Sequence, residues 1–517
     1  MRPAGGSERP GRWALAILSW AAGTLRSIAT MAAGFVATPF ILRYLGAERF
    51  GGFRAAQQWT GYLTYLYFGL GPALTVLVLR PASRGQIKEA ASIVKRGLRL
   101  EAFQTLLVVI PMGLLLGWFL PDLVHVSVPL RRELRIGAIL YLLTLLFAPS
   151  EMFRVLLECL QYGYVVNIAL MLQSFVVFGA SVWLAWGGYG IEGQFAAVVF
   201  GAAVFSALVV ASGLSHVSGF HQLVPARIQG KELSRLRWPM TITGIGGQIN
   251  LLTDYIVIGL VMDATSVAVF LLTQRLLTVV GGFVTSLTNA TWAGLAEILG
   301  SGDRVMFQER VLELIRLVLG LGVTILSTLA AYNVHFVYLW VGRQYYAGNL
   351  LTVLTAIQVL MLGYFTLFTW TIDLQGDTRY RVPITSFGAV LNLALSFFLG
   401  RRLGMYGVTL ATLIGYSLTE VWFCPYLFCR RYSVSLRAVA NTTLSALGST
   451  VPWLIFVWLM AHNRSLSSWP ALSLELSAAC LLALAYTWFM VLSGSDRRRW
   501  RARCAATVSR WGSNSRS

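Results

Sequence analysis

Residues Trp13 to Val36 read WALAILSWAAGTLRSIATMAAGFV, an apolar run with one charge, Arg26, near its middle. The run is long enough to cross a bilayer as a single helix. A charge at that depth costs about 2.5–3.5 kcal/mol on insertion scales. The cost is tolerable when the run is one of many spans and the guanidinium faces a protein or water-filled interior. The remainder of the chain supports that arrangement.

Thirteen further runs of similar length follow, at 55–79, 100–120, 136–158, 165–186, 193–214, 238–262, 266–290, 314–340, 350–372, 382–400, 407–429, 441–461 and 470–492. The chain has 517 residues, of which 56% are hydrophobic and 12% charged, with a mean hydropathy of +0.67. That is the composition of a membrane protein. The net charge of +20 would suggest nucleic acid in a soluble chain. Here the basic residues sit in short connections, so nucleic acid is excluded and anionic lipid headgroups are the expected contacts. With the N-terminus in the cytoplasm, 28 of the 41 Lys and Arg fall in inside segments and 10 in outside ones. The other 3, Arg26, Arg154 and Arg275, lie within spans. The asymmetry predicts a multi-pass inner-membrane protein with both termini cytoplasmic.

The expected organisation is a cytoplasmic N-terminus (1–12), a six-helix bundle (13–214) and a cytoplasmic linker (215–237). A second six-helix bundle (238–429), two additional helices (430–492) and a basic cytoplasmic tail (493–517) complete it. Phe53-x-x-x-Gln57 recurs as Phe270-x-x-x-Gln274, and the two six-span halves match in span count, a common transporter plan. Residues 81–98 show helical spacing of apolar and basic side chains and are expected as an amphipathic helix on the membrane surface. The apolar stretch after the basic N-terminus is too long for a signal peptide and is read as an uncleaved first span. The cysteines show neither zinc spacing nor a disulfide framework. No metal spacing, catalytic triad or phosphate loop appears, so no cofactor and no enzyme activity are expected. A proton or sodium ion is left open as coupling ion.

Ionisable groups inside spans are functional candidates. Asp254 and Arg275 flank the turn Met262–Thr265 almost symmetrically, which puts each about 15 Å from that end of its helix. Arg26, ten residues before Val36, is expected at a similar depth. Two readings stand for this layer. In one, the arginines bind an anionic group in a central cavity, their planar forks matching phosphate or carboxylate. In the other, Asp254 forms a structural ion pair with Arg275 or Arg26. Glu151, Arg154 and Glu158 share one face of the fourth span, as a gate, an ion-coupling pair or a satisfied local ion pair. Glu420 is an isolated acid in the twelfth span and a candidate ion site. Gln57, Gln274 and Asn250 are polar positions that line a sugar-compatible cavity or hydrogen-bond between helices.

Several stretches carry a family resemblance. TPFILRYLGAERFGGF (Thr38 to Phe53) looks like the first-span exit of polysaccharide flippases, and GLGPAL (Gly69 to Leu74) is similar to the end of their second span. LLTDYIVIGLVMDATSVAVFLLTQRL (Leu251 to Leu276) resembles their second-half hairpin, and VYLWVGRQYYAG (Val337 to Gly348) the end of their ninth span. The chain thus resembles the polysaccharide branch of the multidrug/oligosaccharidyl-lipid/polysaccharide exporter superfamily. The resemblance implies an all-α integral membrane fold of about 14 transmembrane helices. Two pseudo-symmetric six-helix bundles would surround a central cavity, with two extra C-terminal helices. It implies alternating-access transport of an undecaprenyl-diphosphate-linked oligosaccharide for polysaccharide, O-antigen or exopolysaccharide assembly. Membrane lipids, a polysaccharide polymerase and glycosyltransferases are the partners it suggests. The two extra helices look more like the peptidoglycan lipid-precursor flippase, so that substrate stays open, as does a multidrug antiporter. A membrane glycan polymerase or ligase is disfavoured, because no outer connection is long enough to carry its catalytic residues.

Overall fold

The computed structural model describes residues 12–228, 230–373, 382–461 and 466–501. Side chains at 12–14, 16, 17, 243, 246–252, 284–293, 370, 373 and 461 lie outside the description. Described elements are helical, and they group into two compact units, Met1–Ala268 and Val269–Ser517.

The first unit holds α1 (Arg12–Gly61), α2 (Leu70–Ser83), α3 (Ile87–Gln104), α4 (Ile110–Val124), α5 (Val128–Leu145), α6 (Glu151–Cys159), α7 (Gly163–Trp186), α8 (Ile191–Ser215) and α9 (Gly230–Val261). Its α1 corrects the sequence reading. No loop follows Val36; the apolar pattern continues through Pro39 to Leu45, and the helix turns only at Gly46. Gly46 has φ 79° and ψ 169°, a backbone state open to glycine and strained for residues with a Cβ. The stretch 47–61 is helical too, so the second span begins before residue 55. It breaks at Tyr62–Tyr67, a 3₁₀ segment ending in left-handed Phe68 and Gly69. Arg237 closes that break, its guanidinium donating to the carbonyls of Tyr67 (3.1 Å) and Phe68 (3.0 Å).

A second correction concerns 81–98. The helix there is real, but it is not a separate surface helix. α3 runs through a π-helical turn at Thr105–Val109 into α4, giving one 38-residue segment. Its small face, Ala90, Ala91, Val94 and Gly97, is buried against α2 and α6. The apolar spacing that suggested a lipid-facing surface is therefore a helix–helix interface. The linker after α8 packs back on α3, where Lys95 Nζ donates to the carbonyl of His221 at 2.6 Å. α1 and α7 run parallel. Asn167 Nδ2 donates to Ser19 O (3.2 Å) near their N-termini, and Phe40 and Tyr44 line a groove with Trp183 and Trp186 towards their C-termini. Arg49, just past the kink, donates twice to Glu133 (2.9 and 2.8 Å), whose carboxylate also accepts from the Ile191 amide (3.2 Å). This ties the ends of α1, α5 and α8 together.

α10 (Ala264–Gly300) starts at the edge of the first unit and leads into the second. There follow α11 (Arg304–Trp340), α12 (Asn349–Asp373), α13 (Val382–Leu403), α14 (Met405–Leu418), α15 (Glu420–Tyr432), α16 (Leu436–Ala461) and α17 (Trp469–Tyr486). The twelfth expected span is two helices, broken at Thr419 (φ −121°, ψ −83°). An aromatic cluster of Phe307, Phe368, Phe428 and Tyr432 forms part of this unit's core, with centroids 5.2–6.1 Å apart. Large apolar side chains such as Trp118, Trp183, Trp458 and Leu474 are exposed. In water this would be a liability, whereas in lipid it is the expected outer surface.

Twelve helices among the described residues are long and apolar enough to cross a membrane. They account for all the expected spans except the second and the seventh. The second is split between the end of α1 and the short α2, and the seventh corresponds to α9. The protein is an all-α, multi-pass membrane protein.

Candidate functional site

In the first unit, the shifted end of the first helix changes the geometry of the proposed charged layer. Arg26 lies twenty residues from Gly46, about 30 Å along the helix. Asp254 lies nine residues from the turn at Asp263, about 14 Å. Gly51, five residues past Gly46, abuts the Ala264 backbone, so the two helix ends differ in depth by no more than about 7.5 Å. Arg26 and Asp254 therefore occupy different depths, and the expected common layer does not form between them. Asp254 is buried on α9 beside the break in the second span. Its neighbour Thr253 hydrogen-bonds the Tyr62 hydroxyl at 3.1 Å, and its charge acts on Tyr62.

Arg26 is half-buried on α1, and its Nε is buried without a hydrogen-bond partner. A guanidinium N–H withdrawn from solvent and left unpaired is costly. Arg26 Nε is thus left open to an acceptor. Gln57 accepts a hydrogen bond from Arg54 Nη1 at 3.0 Å. Arg54 also stacks on Phe50 (5.3 Å) and Phe53 (5.4 Å). Arg54, expected in the connection after the first span, lies inside the helix. The signal was available: Phe50, Phe53, Arg54 and Gln57 have helical spacing, which extends the second span towards Gly46.

Glu151, Arg154 and Glu158 form the expected cluster on α6. Arg154 contacts Glu151 at 3.3 Å and Glu158 at 2.9 Å, and all three side chains are partly exposed. The opposite face of α6, including Met152, Phe153 and Leu156, is buried. Glu101 on α3 is a further buried acid that is not among the sequence candidates. It is 5% exposed, and its Oε2 has no partner. Its signal was positional: Glu101 and Glu151 lie equally far from Val126, at the turn joining their helices.

In the second unit, Gln274 on α10 is buried with its Nε2 unpartnered, one residue before half-buried Arg275. Glu420 is buried at the first position of α15, where the helix dipole favours a carboxylate. Asn392 is buried on α13 and accepts from Ser396 (3.1 Å) and Thr412 (3.2 Å), a polar site inside an apolar bundle. The Asn250 side chain lies outside the described residues. No group of three or more His, Cys, Asp or Glu able to hold a metal occurs among the described residues.

The fold and sequence have clear relatives. The lipid II flippase MurJ in its inward closed conformation superposes with a TM-score of 0.66 at 14% identity, covering 90% of this chain and 97% of that one. An inward-facing multidrug resistance MATE family transporter of the MOP superfamily gives 0.60 at 15% identity, covering 82% and 99%. The uncharacterized membrane protein EpsK of Bacillus subtilis (strain 168) is 23% identical over 467 residues, which is 84% of this chain and 87% of EpsK. The family described as polysaccharide biosynthesis protein matches residues 18–293, from the first helix through most of α10. The chain thus belongs to the polysaccharide biosynthesis protein family and carries it on the fold shared by MurJ and the MATE transporters.

Proposed function

We propose that the protein is a flippase that moves an undecaprenyl-diphosphate-linked oligosaccharide across the inner membrane by alternating access. The observation that carries this reading is Arg26, a cation within a membrane helix whose Nε is buried and lacks a partner, in a polysaccharide biosynthesis family member. A diphosphate offers several acceptor oxygens to such a group. Arg275 is a second candidate cation within a span, and Gln57 and Gln274 are candidate polar contacts for the sugar. Glu151, Arg154, Glu158 and Glu420 are the candidates for gating or ion coupling, by proton or sodium. Both termini are cytoplasmic in this proposal, as the charge asymmetry requires. A polymerase and glycosyltransferases of the same polysaccharide are the proposed partners, and no catalytic step is assigned to the chain.

Complementation of a strain lacking the transporter tests the reading. Arg26→Ala and Arg275→Ala, at normal protein levels, are each expected to cut polymer output at least tenfold. The lipid-linked intermediate should accumulate in the inner leaflet. Normal output from both variants would remove the arginines from the mechanism. A lipid-linked peptidoglycan precursor is the second reading, favoured by the likeness to the lipid II flippase and by the additional helices α16 and α17. Rescue of a strain depleted of its lipid II flippase would select it.

A further inference from the structure

The interior of the first unit contains an acid that the flippase reading does not use. Glu101 sits where α3 packs against α2 and α6, four residues before the π-helical turn. Thr105, at the start of that turn, bonds both the Glu101 carbonyl (2.8 Å) and the Tyr67 hydroxyl (2.7 Å). The surroundings of the Glu101 carboxyl are poor in donors. α2 presents Gly71, next to Glu101 Oε1 and flanked by apolar Leu70 and Leu74, so this side offers no side-chain donor. The 3₁₀ segment presents Tyr67, already engaged with Thr105. α6 presents Glu151, with Arg154 and Glu158 behind it. On α3 itself, Lys95 is held by the carbonyls of Phe220 and His221, and Arg99 is exposed. Gln104, three residues along α3, has a second buried acceptor, Oε1, without a donor. Two buried acceptor oxygens on this stretch of α3, Glu101 Oε2 and Gln104 Oε1, are therefore left without a hydrogen-bond donor.

We propose that Glu101 is a proton-binding site of the first unit, filled from water by way of Glu151. Glu151 is about half exposed and held by Arg154, so it is the more accessible member of the pair. One proton passes from water to the Glu151 carboxylate and on to Glu101, which becomes a neutral carboxylic acid and a donor. No other bond forms or breaks. Protonation removes a charge from a buried, apolar position and relieves its repulsion with the charge of Glu151 on the neighbouring helix. Its loss drives α3 and α6 apart next to the broken second span, so the charge state of Glu101 sets the packing of these helices. Sodium suits the site less well. Hard cations collect six or more oxygens, and the side-chain acceptors named here are fewer and partly apolar-walled. The inference is independent of which substrate is carried.

The test is pH-difference infrared spectroscopy on the full-length protein in lipid nanodiscs, which reports the carbonyl stretch of protonated carboxyl groups. Wild type is expected to show a buried protonated-carboxyl band that disappears as pH is raised. The band should be absent from Glu101→Gln, and its midpoint should move in Glu151→Gln. Persistence of the band in Glu101→Gln, or a band insensitive to pH, overturns the proposal. So does loss of the band on adding sodium at fixed pH, which would make this a sodium site. If Glu101→Gln does not fold, Glu101→Asp is measured instead. The band must then shift in frequency, and an unshifted band counts against Glu101.

Discussion

Gly51→Val is expected to prevent accumulation of the folded protein. A Cβ on Gly51 would lie 1.7 Å from the carbonyl oxygen of Ala264, 2.7 Å from its carbon and 3.1 Å from the amide of Ala268. These are backbone atoms, so no flexible side-chain end can swing aside. Accommodating even one methyl requires α1 beyond its kink to separate from the start of α10. That separation also pulls on the neighbouring turn, where Ser266 N is capped by Asp263 at 2.7 Å. The cost is about 4 kcal/mol or more, in the range reserved for severe core disruption. Gly61→Ala is the control, since a Cβ there meets nothing within 4 Å and the backbone is already helical. Fluorescence-detected size-exclusion of a tagged protein, with a thermal midpoint in detergent, compares the two. A wild-type midpoint for Gly51→Val would show that this backbone contact does not hold the unit together.

The second large effect is expected at Asp496, just past the last membrane helix. Asp496 is fully buried and accepts from Arg316 (2.7 and 3.1 Å) and Arg499 (2.7 Å), with Ser493 N adding a bond at 3.1 Å. Arg499 also pairs with Glu309 and, at 3.5 Å, with Glu313, which Arg310 contacts at 2.8 Å. The segment after α17 is thereby fastened to the first turns of α11. Burial opposes ionisation of Asp496, but the hydrogen bonds from Arg316, Ser493 and Arg499 outweigh it and hold the carboxyl at about 2, below the ordinary 3.8. Asp496→Ala leaves two arginines facing each other without their shared anion, a loss of roughly 3–5 kcal/mol for a buried network. The local consequence is release of the segment. Trypsin is expected to cut at Arg497–Arg501 far faster in the variant than in wild type. The pH dependence has a definite sign. A carboxyl with a depressed folded value contributes its full stability above 3.8 and loses it as pH falls from 3.8 towards 2. Acid should therefore release the wild-type segment in that window and leave Asp496→Ala unchanged. Equal trypsin sensitivity of the two proteins at neutral pH would refute the fastening role.

The membrane class was legible in the sequence because apolar run length is a one-dimensional property that the bilayer reads directly. Most of the span order and the Arg154 cluster followed for similar reasons, since i, i+3 and i+4 neighbours on a helix meet without help from the rest of the fold. The first span was harder. The stretch from Thr38 resembles a first-span exit, yet its Pro39 lies inside the helix, and a proline inside a helix in lipid is tolerated when packing supplies the compensation. The turn instead fell at Gly46, the residue with the left-handed freedom to make it. That ten-residue shift moved Arg26 away from the depth of Asp254 and placed Arg54 inside a helix.

For the opening stretch, then, the sequence by itself determined that Trp13–Val36 crosses the membrane as helix and that Arg26 is a charge within it. Only the tertiary structure decided how far the helix runs, how deep Arg26 lies, and that its Nε is left without a partner. The same division holds for Glu101, plainly an acid near the start of a span, but buried and short of donors only because Gly71, Tyr67 and Glu151 are brought to it. Hydropathy and helical period act along the chain. Depth, partnership and burial depend on which helices pack together and where each one ends.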